Sequence, residues 1–211
     1  MSPAVKVLRK PWDDLSQQRD AATFGIWVFL ASEALFFGSL LLLYAVDRIS
    51  HPQAFIMAGR ETDIWYGTIN TAVLLTSSLT MAVAAQAATA DMRRLALWCL
   101  AATVALGALF LVLKGFEYAE DLEKNLWPGS DFALKARGTQ LFFALYWTLT
   151  GVHAIHLTIG MVLIGRLIAL GGLGRIRLRE NPQVEVTALY WHLVDVIWII
   201  LYPLIYLLGR S

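Results

Sequence analysis

Residues 95–115 read LALWCLAATVALGALFLVLKG, an apolar run in which Lys114 is the one charged side chain. The hydrocarbon core of a bilayer is about 30 Å thick, and a helix needs about 20 predominantly apolar residues to cross it. Backbone polar groups find no water at that depth, so such a segment satisfies them internally as an α-helix. The run therefore predicts a transmembrane helix.

Further runs of this kind lie on both sides of it, at residues 21–46, 64–89, 139–170 and 188–208. Proline, glycine and charged residues separate the runs, and the connecting segments are too short for a second folded domain. We therefore predict an all-α, integral membrane bundle of five transmembrane helices. It forms a single domain over residues 1–211, in which residues 1–20 are a cytoplasmic N-terminal segment.

The composition agrees with a membrane protein and disfavours several functional classes. Charged residues make up 16% of the chain, whereas a typical soluble domain carries about 25%. The formal net charge is +1, so the overall charge does not indicate a nucleic-acid partner. Cys99 is the one cysteine, which excludes an internal disulfide and a two-cysteine copper or zinc site.

The basic residues are distributed unevenly between the two predicted sides of the bundle. Most of the 17 lysines and arginines fall on the side that holds the N-terminus. The positive-inside rule then predicts a cytoplasmic N-terminus and a periplasmic C-terminus. Arg93 and Arg94 lie at the cytoplasmic rim, where they are candidates for contact with anionic lipids.

Glu33 is an ionisable residue near the middle of the first predicted helix, within FLASEALFF at residues 29–37. An ionisable group inside a membrane span is costly and suggests a functional site by default. Hydrocarbon surroundings favour the neutral form of an unpaired carboxyl. Two interpretations stay open: a proton-active or lipid-sensing site, and a neutral carboxylic acid hydrogen-bonded to a neighbouring helix.

Two histidines lie three residues apart in the fourth predicted helix. His153 and His156 share a helical face, because residues at i and i+3 are neighbours on a helix. A zinc or haem site would need further ligands from other helices, and the chain has four histidines in all. We favour hydrogen bonding between helices and predict no metal site.

The last predicted helix carries the polar residues Glu185, His192 and Asp195. Spacings of seven and three place them on one stripe, and a lipid-facing aspartate would be costly. We predict that this stripe faces protein as part of a polar network between helices; a proton relay is the alternative. Glu117, at the end of the third helix, is a further candidate for the network, although a carboxylate at the membrane boundary is easily solvated.

Three more residues are candidates for contact with lipid. Asn70 and Thr71 in the second helix can either hydrogen-bond across helices or bind a lipid head group. Trp191, beside His192 in the last helix, is the third candidate.

Several of these segments carry a resemblance to a known family. ALYWHLVDVIW at residues 188–198 resembles the signature of the last helix of haem–copper oxidase subunit III. TGVHAIH at residues 150–156 resembles the Gly-x-His-x-x-His segment of that family. Glu33 stands where the family has its carbodiimide-reactive membrane glutamate. NTAVLL at residues 70–75 and the pair Glu117-Tyr118 match two further family positions, and the likeness covers about residues 25–208.

The resemblance is to the short, five-helix bacterial form, and it implies a V-shaped bundle with a lipid-filled cleft and bound phospholipid. It implies direct contact with the haem–copper subunit I, subunit II in the same complex, and haem and copper held by those partners alone. The implied place is the bacterial cytoplasmic (inner) membrane. The implied role is a non-catalytic subunit of cytochrome c oxidase that stabilises the catalytic subunit, supports proton uptake and protects against inactivation during aerobic turnover.

Three alternatives remain open at this point. One is the accessory subunit of a nitric oxide reductase, to which LVLK at residues 111–114 and YPL at residues 202–204 are similar. Another is a haem b membrane cytochrome that ligates iron through His153 or His156 and His192. A proton-coupled carrier using Glu33 is disfavoured, because the sequence shows no internal repeat or broken helix. The electron donor of the partner enzyme, cytochrome c or quinol, also stays open.

Overall fold

The computed structural model describes residues 14–134 and 136–210, most of which are helical. Residues 1–13 of the predicted N-terminal segment lie outside the described residues. The elements in chain order are α1 (Leu15–Ser50), α2 (Pro52–Glu61), α3 (Ile64–Thr89), α4 (Arg93–Glu123), α5 (Arg137–Gly172), a 3-10 helix (Leu178–Glu180), α6 (Pro182–Tyr202) and a π-helix (Pro203–Leu207).

Five of these helical segments are long and apolar enough to cross a membrane, and they coincide with the predicted runs. They are α1, α3, α4, α5, and α6 together with the π-helix. The prediction of an all-α bundle with five membrane spans is therefore confirmed. The boundaries differ most in α4, which we expected to end at Gly115 and which continues to Glu123.

The extension of α4 has a clear physical cause. Lys114, Glu117 and Asp121 follow Gly107 and Phe110 at helical spacing, and all five residues are buried on one face of the helix. Their polar groups bond to one another and to neighbouring helices, so the charges do not end the helix. Glu117 is therefore buried in contacts with α5 and the π-helix and is not solvated at a membrane boundary.

The first connection contains a helix that we did not predict. Pro52 occupies the first turn of α2, where its fixed φ and missing N–H are tolerated. Phe55 packs edge-on against Tyr44 of α1 and Phe142 of α5. The segment therefore packs against the bundle instead of forming an irregular loop.

α6 is the most buried of the membrane helices, and two tryptophans anchor it. The side chains of Trp191 and Trp198 are fully buried. Two glycines make room for the first indole: a Cβ at Gly107 of α4 or at Gly160 of α5 would lie 2.9 Å from a Trp191 ring carbon. Close packing around small residues is the usual way in which membrane helices associate.

α1 lies at the periphery of the bundle and buries the smallest share of its membrane-spanning part. Its outward side chains are large and apolar; Leu35 is 75% exposed and Ile49 is 80% exposed. In a membrane, this surface is available to acyl chains or to another subunit.

Candidate functional site

Glu33 and His156 form a close polar contact between α1 and α5. Glu33 Oε2 lies 3.0 Å from His156 Nε2, and each side chain is 17% exposed. The other ring nitrogen, Nδ1, lies 2.9 Å from the backbone oxygen of Val152. The structure thus brings together two residues that we had singled out separately, and the carboxyl has a partner in the bundle.

The hydrogen-bond partners of His156 determine where the hydrogens of this pair lie. The Val152 oxygen can only accept, so His156 Nδ1 carries a hydrogen. The Nε2 contact then holds one proton, which belongs either to the imidazole or to the Glu33 carboxyl. In this arrangement neither group is left as an isolated polar group in hydrocarbon.

An apolar groove opens beside this pair, between α1, α5 and α6. It has a volume of about 430 Å³, and its lining includes Phe29, Glu33, His156, Leu163 and Tyr190. The Tyr190 hydroxyl donates to the His156 backbone oxygen at 3.0 Å. The groove thus has apolar walls and one polar pair, as a site for an amphiphile requires.

A second polar cluster lies near the C-terminal end of α4, and we call it the lysine cluster. Its members, on α4, α5 and the π-helix, are Lys114, Glu117, Asp121, Tyr146 and Tyr206. Lys114 Nζ donates to Glu117 Oε2 at 3.0 Å, to the Tyr146 hydroxyl at 3.1 Å and to the Tyr206 hydroxyl at 2.7 Å. All five side chains are buried, so the lysine uses its three hydrogens inside the protein.

Sequence reasoning missed most of this cluster. It noted Lys114 only as the one charged side chain of its apolar run and did not single out Tyr146 or Tyr206. One signal was available: Lys114, Glu117 and Asp121 continue at spacings of three and four, which predicts one helix face. The tyrosines come from distant segments, and only the three-dimensional packing shows that they meet this face.

The predicted stripe on α6 splits into three different environments. His192 Nδ1 lies 2.8 Å from the Ser78 hydroxyl of α3. Asp195 is 2% exposed, and neither of its carboxylate oxygens has a hydrogen-bond partner of ordinary geometry among the described residues. Glu185 is exposed, because it lies near the helix start beside a surface pocket, so its expected place in a buried network was wrong.

His153 is fully buried, unlike its neighbour His156. Its ring packs between Phe110 of α4 and Trp198 of α6, with centroid distances of 5.6 and 5.1 Å. Neither ring nitrogen has a hydrogen-bond partner within the described part of the chain. The expected interhelical hydrogen bond is therefore present for His156 and absent for His153 in this part of the chain.

Two of the lipid candidates lie inside the protein, and a third is half-buried. Asn70 and Trp191 are fully buried, and the Trp191 indole donates to the Ser77 hydroxyl at 3.1 Å. The Thr71 hydroxyl accepts the Trp198 indole N–H at 3.1 Å. The prediction that Asn70 and Trp191 contact lipid was wrong, because both face neighbouring helices. Thr71 serves helix packing.

The two arginines at the start of α4 differ in what they contact. The Arg93 guanidinium donates to the backbone oxygens of Gly171 and Gly172 at 2.7 to 3.0 Å, at the C-terminus of α5. Cations are favoured at that end of a helix. Arg94 is exposed and stays a candidate for anionic lipid.

No group of three or more histidine, cysteine, aspartate or glutamate side chains is placed to hold a metal ion within residues 14–134 and 136–210. Both nitrogens of His156 already face protein oxygens, at Glu33 and Val152. The haem b alternative therefore loses one of its proposed axial ligands.

Comparison with known proteins agrees with this arrangement. The family model described as cytochrome c oxidase subunit III matches residues 15–210, which include every membrane helix and both polar clusters. The chain belongs to the cytochrome c oxidase subunit III family. The resemblance inferred from the sequence motifs is thus confirmed.

Individual relatives within the subunit III family share about a third of the sequence or less. Cytochrome c oxidase subunit 3 of Thermostichus vulcanus is 33% identical over 94% of this chain and 92% of its own length. Cytochrome bo(3) ubiquinol oxidase subunit 3 of Pseudomonas aeruginosa is 27% identical over 88% of this chain and 84% of its own. Heme-copper oxidase subunit I+III of Aeropyrum pernix is 28% identical over 90% of this chain, which covers 23% of that protein.

Proposed function

We propose that this chain is the non-catalytic third subunit of a respiratory haem–copper terminal oxidase, embedded in a bacterial inner membrane. The observation that carries the proposal is the family match over residues 15–210. The contact of Glu33 with His156 and the bonds of Lys114 to Tyr146 and Tyr206 join helices to one another, which suits a supporting role. In this proposal the catalytic centre is held by other subunits.

The direct partner is the haem–copper subunit I, with subunit II in the same complex. The Aeropyrum pernix relative supports this pairing, because its name places subunits I and III in one protein. Haem and copper belong to these partners. The apolar outer surface of α1, with Leu35 and Ile49 exposed, provides area for contact with a subunit or with lipid.

The groove beside Glu33 and His156 is the proposed phospholipid site, the counterpart of the lipid-filled cleft implied by the resemblance. Its apolar walls suit an acyl chain, and it opens between α1, α5 and α6. In this proposal Glu33 contributes to proton uptake by the complex, and its contact with His156 beside the groove supports that role. The N-terminus is cytoplasmic and the C-terminus periplasmic in this proposal, following the distribution of basic residues.

Affinity purification through a tag on this chain in mild detergent tests the proposal. We expect subunits I and II to co-purify, identified by mass spectrometry, and the complex to consume oxygen with cytochrome c or a quinol as donor. A matched strain that lacks this chain should yield an oxidase that loses activity sooner during turnover. Repeated recovery of the chain without a haem–copper subunit would contradict the proposal.

A further inference from the structure

The lysine cluster contains more short polar contacts than hydrogens to fill them. Tyr146 has one hydroxyl hydrogen, yet its oxygen lies 2.9 Å from Glu117 Oε1 and 2.7 Å from Asp121 Oδ2. Lys114 already donates to the same hydroxyl oxygen, and the Tyr206 hydroxyl donates to Glu117 Oε1 at 2.6 Å. If both carboxyls were ionised, one of the two Tyr146 contacts would hold no hydrogen.

The net charge of the cluster also indicates that one of the two carboxyls is protonated. Lys114 and Glu117 compensate each other as an ion pair with both side chains 2% exposed. An ionised Asp121, which is 3% exposed, would leave the cluster with an excess negative charge inside the bundle. A buried charge without its own counter-charge costs several kcal/mol.

One added proton supplies the missing hydrogen and cancels the excess negative charge. When it lies on Asp121 Oδ2, the carboxyl donates to the Tyr146 oxygen, and Tyr146 donates its own hydrogen to Glu117. The Tyr146 oxygen then accepts two hydrogen bonds and donates one, which is its full capacity. Every short contact holds one hydrogen, and the cluster is neutral.

We propose that the lysine cluster is a buried proton-binding site that holds one exchangeable proton on the Asp121 carboxyl. Asp121 lies within the last turn of α4, next to the exposed Glu123 and Lys124 at the end of the bundle. Release breaks the O–H bond of Asp121, leaves the electron pair on Oδ2 and transfers the proton to water at this helix end. Rebinding reverses the step.

Each element packed around the cluster contributes groups that set its electrostatics. They are Lys114, Glu117, Tyr118, Glu120 and Lys124 on α4, Tyr146 and His153 on α5, Tyr206 on the π-helix, and Tyr66 on α3, which bonds to Glu120. Among these described groups Lys114 is the one cation that bonds to the cluster. It is already paired with Glu117, which leaves Asp121 to be neutralised by a proton.

Infrared spectroscopy of the full-length chain in lipid bilayers tests this proposal, which does not depend on the oxidase role. We expect a carbonyl-stretch band of a protonated carboxylic acid that shifts on transfer to D₂O and shifts again when the chain contains carboxyl-labelled aspartate. Asp121→Asn should remove this band, because asparagine has no carboxyl group. Its amide can still donate to Tyr146, so the cluster keeps this contact. Glu123→Gln, an exposed acid at the same helix end, is the matched control and should leave the band unchanged.

Tyr146→Phe gives a second test that does not require a change at Asp121. It removes the acceptor of the proposed carboxyl hydrogen bond, so the aspartate band should move to higher frequency. A band that persists unchanged in Asp121→Asn and is unmoved in Tyr146→Phe would assign the proton to another acid, such as Asp195, and overturn the proposal. Complete absence of an aspartate-dependent band in the unaltered chain would also overturn it.

Discussion

Glu33 Oε2 and His156 Nε2 lie 3.0 Å apart, so a carboxyl on α1 contacts an imidazole on α5 inside the apolar part of the bundle. The contact provides the peripheral α1 with a polar attachment to the rest of the protein. It also provides a partner for a carboxyl that the sequence places in the middle of a membrane helix.

The first prediction concerns the chemical reactivity of Glu33. Carbodiimides modify protonated carboxyls in apolar surroundings, and we expect Glu33→Gln to remove the label that a hydrophobic carbodiimide places on the peptide of α1. Assembly should persist, because glutamine can still bond to His156. Labelling followed by peptide mass spectrometry measures the result. Glu185→Gln, at an exposed acid, is the control; equal labelling of Glu33→Gln and the unaltered chain would exclude Glu33 as the modified group.

The second prediction tests the contact between α5 and α6. A Cβ at Gly160 would lie 2.9 Å from the ring of the fully buried Trp191. We expect Gly160→Ala to destabilise the chain by about 1–3 kcal/mol, the usual cost of overpacking a core. Denaturation in detergent, followed by tryptophan fluorescence, measures the change.

Gly165→Ala is the matched control for this test. It lies on the same helix, and a Cβ there would meet no other atom within 4 Å in the described part of the chain. Alanine should be neutral or stabilising by about 0.5–1 kcal/mol, because it favours the helical conformation. Equal effects of the two substitutions would argue against the close contact with Trp191.

The third prediction tests the hydrogen bond between α3 and α6. The Trp198 indole N–H donates to the Thr71 hydroxyl at 3.1 Å. Thr71→Val keeps the shape and leaves the indole N–H without an acceptor, which costs about 1–3 kcal/mol. Thr76→Val is the control, since the Thr76 hydroxyl is exposed and bonds to the Ala72 oxygen of its own helix. Similar unfolding free energies for the two variants would contradict the assignment.

The fourth prediction separates the two arginines that begin α4. Arg93 stabilises the C-terminus of α5 through the oxygens of Gly171 and Gly172. We expect Arg93→Ala to lower stability by about 0.3–1 kcal/mol, the usual range for a cation at an exposed helix end. Arg94→Ala should leave stability unchanged and weaken the retention of anionic lipid, measured by native mass spectrometry. The reverse pattern would show that Arg93 serves lipid binding.

The membrane helices could be predicted from sequence because each depends on the composition of one continuous segment. The apolar runs define them with few ambiguities, and Pro203 even marks the change to the π-helix near the C-terminus. The short helix α2 was not predictable in this way. It follows a proline and depends on packing against Tyr44 and Phe142.

The polar sites were only partly predictable, because the partner of a polar side chain lies on another helix. Sequence periodicity placed His153 and His156 on one face, yet α1 approaches only His156, and aromatic rings enclose His153. For Asp121 the partner is Tyr146, which lies 25 residues away on α5. Which helices face each other is a property of the packed bundle, and a single helix pattern does not contain it.

The haem content of the oxidase, measured with and without this chain, shows whether the chain itself holds iron. The oxidase should be purified from a strain that makes this chain and from one in which the chain is deleted. We expect the same number of haems per catalytic subunit in the two preparations, because the chain supports the centre without holding iron. A smaller number of haems in the preparation that lacks the chain, restored by adding the purified chain, would contradict it.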